Sequence, residues 1–189
     1  ILSLITFVPL VGALLCLGIR RESVGTLRGF SLGVTLLTFG LSLHLWTAFD
    51  PANPGMQFEE LRPWIPRFGI VYRMGVDGLS LLLVLLTTFL MPLSVLASFS
   101  ITEKVKEYMV CMLLLEAGML GVFVALDLIL FYVFWEAVLI PMYFLIGIWG
   151  GPRRVYATIK FFLYTMAGSV LMLLAMLALA SLSRGAGGE

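Results

Sequence analysis

Charge is scarce in this sequence. Asp, Glu, Lys and Arg make up only 12% of its 189 residues, about half the roughly 25% that a soluble globular domain carries. Hydrophobic residues make up 61%, more than so few polar groups can cover, so the solvent of this chain is lipid. Twelve basic and eleven acidic residues leave a net charge of +1, with no basic surplus to bind nucleic acid or anionic lipid in bulk. Cysteine is nearly absent: Cys16 and Cys111 each lie inside an apolar run, and no Cys/His cluster has the spacing of metal ligands. Neither a disulfide nor a metal is expected. His44 is the sole histidine, and glycine-rich phosphate loops and a GxSxG elbow are missing. The active sites of common soluble enzymes therefore have no counterpart here.

What the sequence does have is long apolar runs. About 20 residues of helix cross a hydrocarbon core, and six runs qualify, roughly 1–19, 29–49, 75–98, 108–126, 128–149 and 158–183. Backbone groups cannot go unsatisfied in lipid, and barrel strands would be about half as long and would alternate, so the runs are helices. The expected fold is all-α: one polytopic transmembrane bundle over 1–189, with six spans. The chain opens on Ile1 and closes on Gly187-Gly188-Glu189 right after an apolar run, which reads as a piece of something longer. Residues 1–19 read as a mature helix rather than a signal peptide, because Arg20 and Arg21 follow the run instead of preceding it.

Six crossings alternate sides, so basic residues can be counted on each face. Arg20, Arg21, Arg28, Lys104, Lys106, Arg153, Arg154 and Lys160 gather on one face; Arg62, Arg67, Arg73 and Arg184 gather on the other. The excess puts the first face in the cytoplasm of a bacterial inner membrane, with both chain ends outside. The one long connection, DPANPGMQFEELRPWIPRFGIVYR, holds four prolines. It is expected to lie against the outer membrane surface, with Trp64 and Tyr72 at headgroup level.

Carboxylates in mid-membrane cost a few kcal/mol each and call for a reason. Glu116 sits near the middle of the fourth run and Glu136 near the middle of the fifth. The two runs form a hairpin whose turn is marked by Asp127. Counting from that turn at 1.5 Å per residue puts both acids about 14 to 17 Å deep. At one depth they come within reach of each other or of a shared file of water, and two such acids call for a bound proton or a lysine from another helix. A proton relay is built this way; the plainer alternative is a pair of structural acids bonded to neighbouring helices. Pro141, five residues after Glu136, frees the carbonyl of Ala137 beside the acid. Lys160 lies near the start of the sixth run, where it either snorkels to the interface or serves as a relay position. Asp77 is expected to cap the third helix, and Pro92 to make a packing kink. His44 reads as an interfacial residue.

The run DLILFYVFWEAVLIPMYFLIGIWG, followed by KFFLYTMAGSVLML, closely resembles the subunit M family of NADH-quinone oxidoreductase, respiratory complex I. GVDGLS, at the head of the third run, is shared more widely among antiporter-like subunits, whereas Trp135-Glu136-Ala137 is similar to subunit M in particular. The resemblance implies a proton-translocating membrane subunit in which the acid matching Glu136 pairs with a lysine of a later helix, with Glu116 and Lys160 at family positions. It also implies neighbouring antiporter-like subunits as partners, and NADH, FMN, iron-sulfur clusters and quinone on other subunits. The alternative is a subunit of a multi-subunit sodium/proton antiporter or a membrane-bound hydrogenase.

Overall fold

The computed structural model describes residues 1–53 and 55–186, with the side chains of Phe68 and of residues 183–186, Arg184 among them, outside that description. The closing Gly187-Gly188-Glu189 also lies outside the described residues. In chain order the elements are α1 (Leu2–Gly18), α2 (Val24–Ala48), β1 (Gln57–Ile65), β2 (Ile70–Val76), α3 (Gly78–Ala97), α4 (Val105–Val124), α5 (Leu128–Trp149) and α6 (Arg154–Ala186). Helices α2 to α6 are long and apolar enough to cross a membrane, while α1, at 17 residues, lies at the short end of the spanning range. The chain is a multi-pass membrane protein whose six helices follow the six apolar runs.

Two compact units divide the chain, Ile1–Pro141 and Met142–Glu189. In the first, α1 to α4 pack side by side with many of their leucines turned outward. Leu14, Leu36, Leu37, Leu82, Leu86 and Leu90 are exposed, while the buried stripe of α1 carries Thr6, Pro9, Gly12, Ala13 and Cys16. Lipid offers no hydrophobic drive between helices, so small residues that let backbones approach go inside. At one end Leu2, Ile5, Leu45, Met74, Val76 and Leu81 form an apolar cluster. At the other, Lys106 donates to the Ile19 carbonyl at 2.8 Å, Arg21 pairs with Glu107 at 2.7 Å and Arg28 donates to the Ile101 carbonyl at 2.8 Å. In the second unit, Tyr143 meets Phe162 edge-on at 5.5 Å, and Arg154 donates to the Ile148 carbonyl.

The long connection is folded into strands. Residues 57–76 form an antiparallel hairpin, β1 against β2, one small sheet added to the all-α bundle. Its turn runs through Pro66 to Gly69, whose φ of 71° suits glycine. Pro63 within β1 masked the strand in the sequence, since a ladder interior rarely accepts proline. The hairpin is tied to the α4–α5 turn by Leu126 N–H donating to the Arg73 carbonyl at 2.9 Å. The Tyr72 hydroxyl lies 2.6 Å from Ser3 Oγ, half-buried, while Trp64 is exposed.

Asp77 caps α3 as expected. Its carboxylate accepts from Ser80 N–H at 2.7 Å, while Ser80 Oγ accepts from the Asp77 N–H at 2.8 Å. The Ser80 backbone bond, and then its side chain, hold the Asp77 carboxyl below its ordinary value of 3.8. The cap therefore stabilises fully above that value and is lost as pH falls through the lowered one. Asp77→Ala should cost about 1 kcal/mol and Asp77→Asn only a few tenths, read as melting temperatures of the assembled protein near neutrality. Equal melting of all three would disprove the cap's contribution.

Candidate functional site

Helix α4 forms from an apolar stretch with a glutamate in the middle of its inner face. Glu116 is fully buried, 0% exposed, and neither carboxylate oxygen has a hydrogen-bond partner among the described residues. Its stripe on α4 includes Met109, Met112, Leu113, Leu120 and Val124, all buried. Leaving an unpartnered carboxylate in such a setting costs several kcal/mol when it is charged, and a group kept at that cost calls for a transported proton, a water or an unseen cation.

Glu136 lies on α5, part-buried, with Oε1 also buried and unpartnered. Phe131 stacks on Trp135 one residue away, at 5.8 Å. Asp127 fixes where α5 begins, its carboxylate accepting from the N–H groups of Ile129 and Leu130 at 2.9 and 3.1 Å. Pro141 is buried, and the boundary between the two compact units falls directly after it.

The structure does not bring the two acids together. Two glycines of α4 set the hairpin's register: an added Cβ on Gly118 would meet Val138 Cγ2 at 2.6 Å, and one on Gly121 would meet Phe134 Cδ1 at 2.2 Å. In that register Glu116 is level with Ile140, about one helical turn, or roughly 6 Å, deeper than Glu136. At about 100° per residue the two glycines stand roughly 140° and 200° around α4 from Glu116. The glycine face meets α5, while Glu116 points into the α1–α2–α3 side of the bundle. Counting residues from the turn gave equal depth because it took the turn to be symmetric about Asp127; the glycine contacts shift it.

Lys160 is exposed on α6, its ammonium 5.8 Å from the centre of the Tyr156 ring. It lines a cleft of about 610 Å³ with Arg153, Arg154 and Gly150. Among the described residues no group of His, Cys, Asp and Glu could hold a metal ion.

One set of residues was missed. Ser31, Thr35, Thr38 and Ser42 fill the buried stripe of α2 between Leu27 and Leu45, each at 0% exposure. Their spacing of four, three and four residues is one face of a helix, and it was legible in the sequence as hydroxyls recurring in an apolar run. Ser42 Oγ lies 2.7 Å from Thr88 Oγ1 on α3, so Thr88, four residues before Pro92, belongs to this polar set as well.

A family model described as NADH-ubiquinone oxidoreductase chain 4, amino terminus, matches residues 65–122, and another, described as NADH:quinone oxidoreductase/Mrp antiporter, TM, matches residues 125–185. The chain is 55% identical over 183 residues to NADH-quinone oxidoreductase subunit M of Rhodobacter capsulatus, which covers 95% of this chain and 35% of that protein. The chain belongs to the subunit M family of NADH-quinone oxidoreductases. It spans about a third of the length of the curated relatives it matches. Members of the family share this architecture: respiratory complex I from Thermus thermophilus with bound NADH matches at a TM-score of 0.83 and 34% identity, over 97% of this chain and 37% of that one. The Mrp complex from Dietzia matches at a TM-score of 0.73 but 22% identity, over 92% of this chain and 18% of that one, a likeness of fold alone.

Proposed function

We propose that the protein is a membrane subunit of a proton-translocating NADH:quinone oxidoreductase, in which buried ionisable residues couple electron transfer to proton movement. The observation that carries this reading is Glu116, buried with both carboxylate oxygens unpartnered among the described residues, on the helix next to Glu136, whose Oε1 is buried and unpartnered too. Mid-membrane acids usually mark transport pathways, and among the described residues Glu116 is not bound to a neighbouring helix as a structural acid would be. Glu136 is the switching acid, Glu116 a second proton site deeper in the bundle and Lys160 an entry position at the inner surface; the freed Ala137 carbonyl below Pro141 offers water an acceptor beside Glu136.

The reaction's redox groups, NADH, FMN, iron-sulfur clusters and quinone, belong to other subunits, and neighbouring antiporter-like subunits are the partners in the bilayer. The membrane is the bacterial inner membrane. The end that carries Arg20, Arg21, Arg28, Lys104 and Lys106 faces the cytoplasm, and the hairpin with Arg62, Arg67 and Arg73 faces outward.

The competing reading is an antiporter subunit, and one experiment separates the two. Membranes from cells that lack the gene should lose NADH-driven proton uptake and keep sodium/proton exchange at the wild-type rate. Loss of exchange with NADH-driven uptake intact would overturn the proposal in favour of the antiporter.

A further inference from the structure

We propose that the hydroxyl stripe of α2 is a hydrated path along which protons move between the Arg28 end of the bundle and Glu116. This rests on the reading of Glu116 as a proton-transfer site.

Thr6 Oγ1, Arg28 Nε and the two oxygens of Glu116 are buried without a hydrogen-bond partner among the described residues, and Ser31 Oγ, also buried, has only the weakly bonding thiol of Cys16 beside it. They come from α1, α2 and α4, and all but Thr6 order themselves along one line. Arg28 lies at the basic end, its guanidinium 5.3 Å from the centre of the Phe99 ring and bonded to the Ile101 carbonyl. Ser31 follows, one turn further into the bundle. Thr35 and Thr38 come next, each donating its hydroxyl proton to a carbonyl of its own helix, Leu32 and Val34, at 3.0 Å. A hydroxyl whose proton is committed in this way keeps its lone pairs free to accept from water.

Two contacts place Glu116 on this line. Gly12 of α1 meets Val34 of α2, where an added Cβ would stand 2.7 Å from Val34 Cγ1. Lys106 of α4 donates to the Ile19 carbonyl just past the end of α1. Counting along the antiparallel helices from these contacts sets Glu116 level with Pro9 and Thr38, within about a turn. Beyond it, towards the hairpin, the polar set continues in Thr6, Ser42 and Thr88. Pro9 frees the carbonyl of Ile5 and Pro92 frees that of Thr88, so two further acceptors fall at the same depth.

Small hydroxyl residues also serve close helix packing in lipid. Packing alone, however, leaves both oxygens of Glu116 and Arg28 Nε without partners and Ser31 Oγ with only the weak thiol of Cys16, and buried water is the usual partner for such atoms. Conduction along the file moves a proton and no electron. A Glu116 carboxylate oxygen takes a proton from the adjacent water as its O–H bond forms, that water takes one from the next, and the last water is reprotonated at the basic surface.

The test uses the full-length subunit in its assembled complex, in inside-out membrane vesicles, with Cys16 and Cys111 first replaced by serine. Ser31→Cys, Thr35→Cys and Thr38→Cys are exposed singly to silver ion, beside Leu45→Cys, a buried apolar position of the same helix. Remaining free thiol is counted by mass spectrometry. The three stripe cysteines are expected to react about tenfold faster than Leu45→Cys or more, because thiol chemistry follows access to water. Equal, slow reaction at all four positions overturns the proposal. In otherwise wild-type protein, the isosteric pair Thr35→Val with Thr38→Val is expected to slow NADH-driven proton uptake several-fold in a complex that still assembles; wild-type uptake overturns the path. Labelling requires no turnover, so a dry stripe defeats this inference alone, while failure of the functional reading appears in the gene-loss experiment.

Discussion

Glu136→Gln, placed in the full-length subunit and assembled in its complex, should lower NADH-driven proton uptake and NADH-to-quinone electron transfer together, by about tenfold or more, which is at least ~1.4 kcal/mol on the limiting step. The reason is chemical rather than steric. Glutamine keeps the size of the side chain and its carbonyl acceptor, so the part-buried site on α5 stays filled and the packing of Phe131 on Trp135 is undisturbed. What it removes is the ability to gain and lose a proton. In a tightly coupled machine a blocked proton step holds back the electron step, so both rates should fall with the amount of assembled complex unchanged. Both rates at the wild-type level in assembled complex would mean that Glu136 is a structural acid. Glu116→Gln extends the comparison, and the two substitutions should not be equivalent. The acids lie a turn apart in depth and on different sides of α4, so each serves its own stretch of the route.

Gly121→Leu should be the most damaging substitution in the α4–α5 hairpin. The first side-chain carbon alone would stand 2.2 Å from Phe134 Cδ1 and 2.3 Å from Phe134 Cγ, well inside van der Waals contact. The ring has little room to give, because it packs against the apolar cluster and lies 6.2 Å from the Phe7 ring on α1. Overpacking of this kind costs about 1–3 kcal/mol or more. Helix association in lipid rests on close packing rather than on a hydrophobic drive, so little compensates for the lost contact. The expected result is little or no assembled complex in membranes. Gly121→Ala should be milder, and Phe134→Leu in the same chain should recover part of the loss by shrinking the partner. Normal assembly of Gly121→Leu would show that α4 and α5 do not meet at this face.

The helices were legible because a bilayer allows few structures. Runs of this length in lipid have to satisfy their own backbone, and the runs were found within a few residues of the helices. Their ends moved where capping and turn chemistry intervened. Helix α3 begins at Gly78 rather than 75, since Gly75 and Val76 belong to β2 and Asp77 is the cap. Helix α6 begins at Arg154 rather than 158, because a basic residue at a helix end costs little when it reaches the interface. The hairpin was not legible. A nine-residue strand with Pro63 inside it is an exception to strand propensity, and it persists because Leu126 and Asp127 of a distant turn hold β2.

For the candidate site, the sequence by itself determined that Glu116 and Glu136 lie within long apolar helices, where a charge stands out because it is costly in lipid wherever the helix turns. It also held the hydroxyl repeat of α2, which passes for ordinary polar scatter until burial is known. Only the tertiary structure decided that Glu116 turns away from α5 and that Ser31, Thr35 and Thr38 face inward with it. The physical reason is that a helix's rotation and depth are fixed by whichever neighbours it packs against. Here those are Val138 and Phe134 seated on two glycines of α4, contacts between residues that lie up to twenty apart in sequence and carry no charge to announce them.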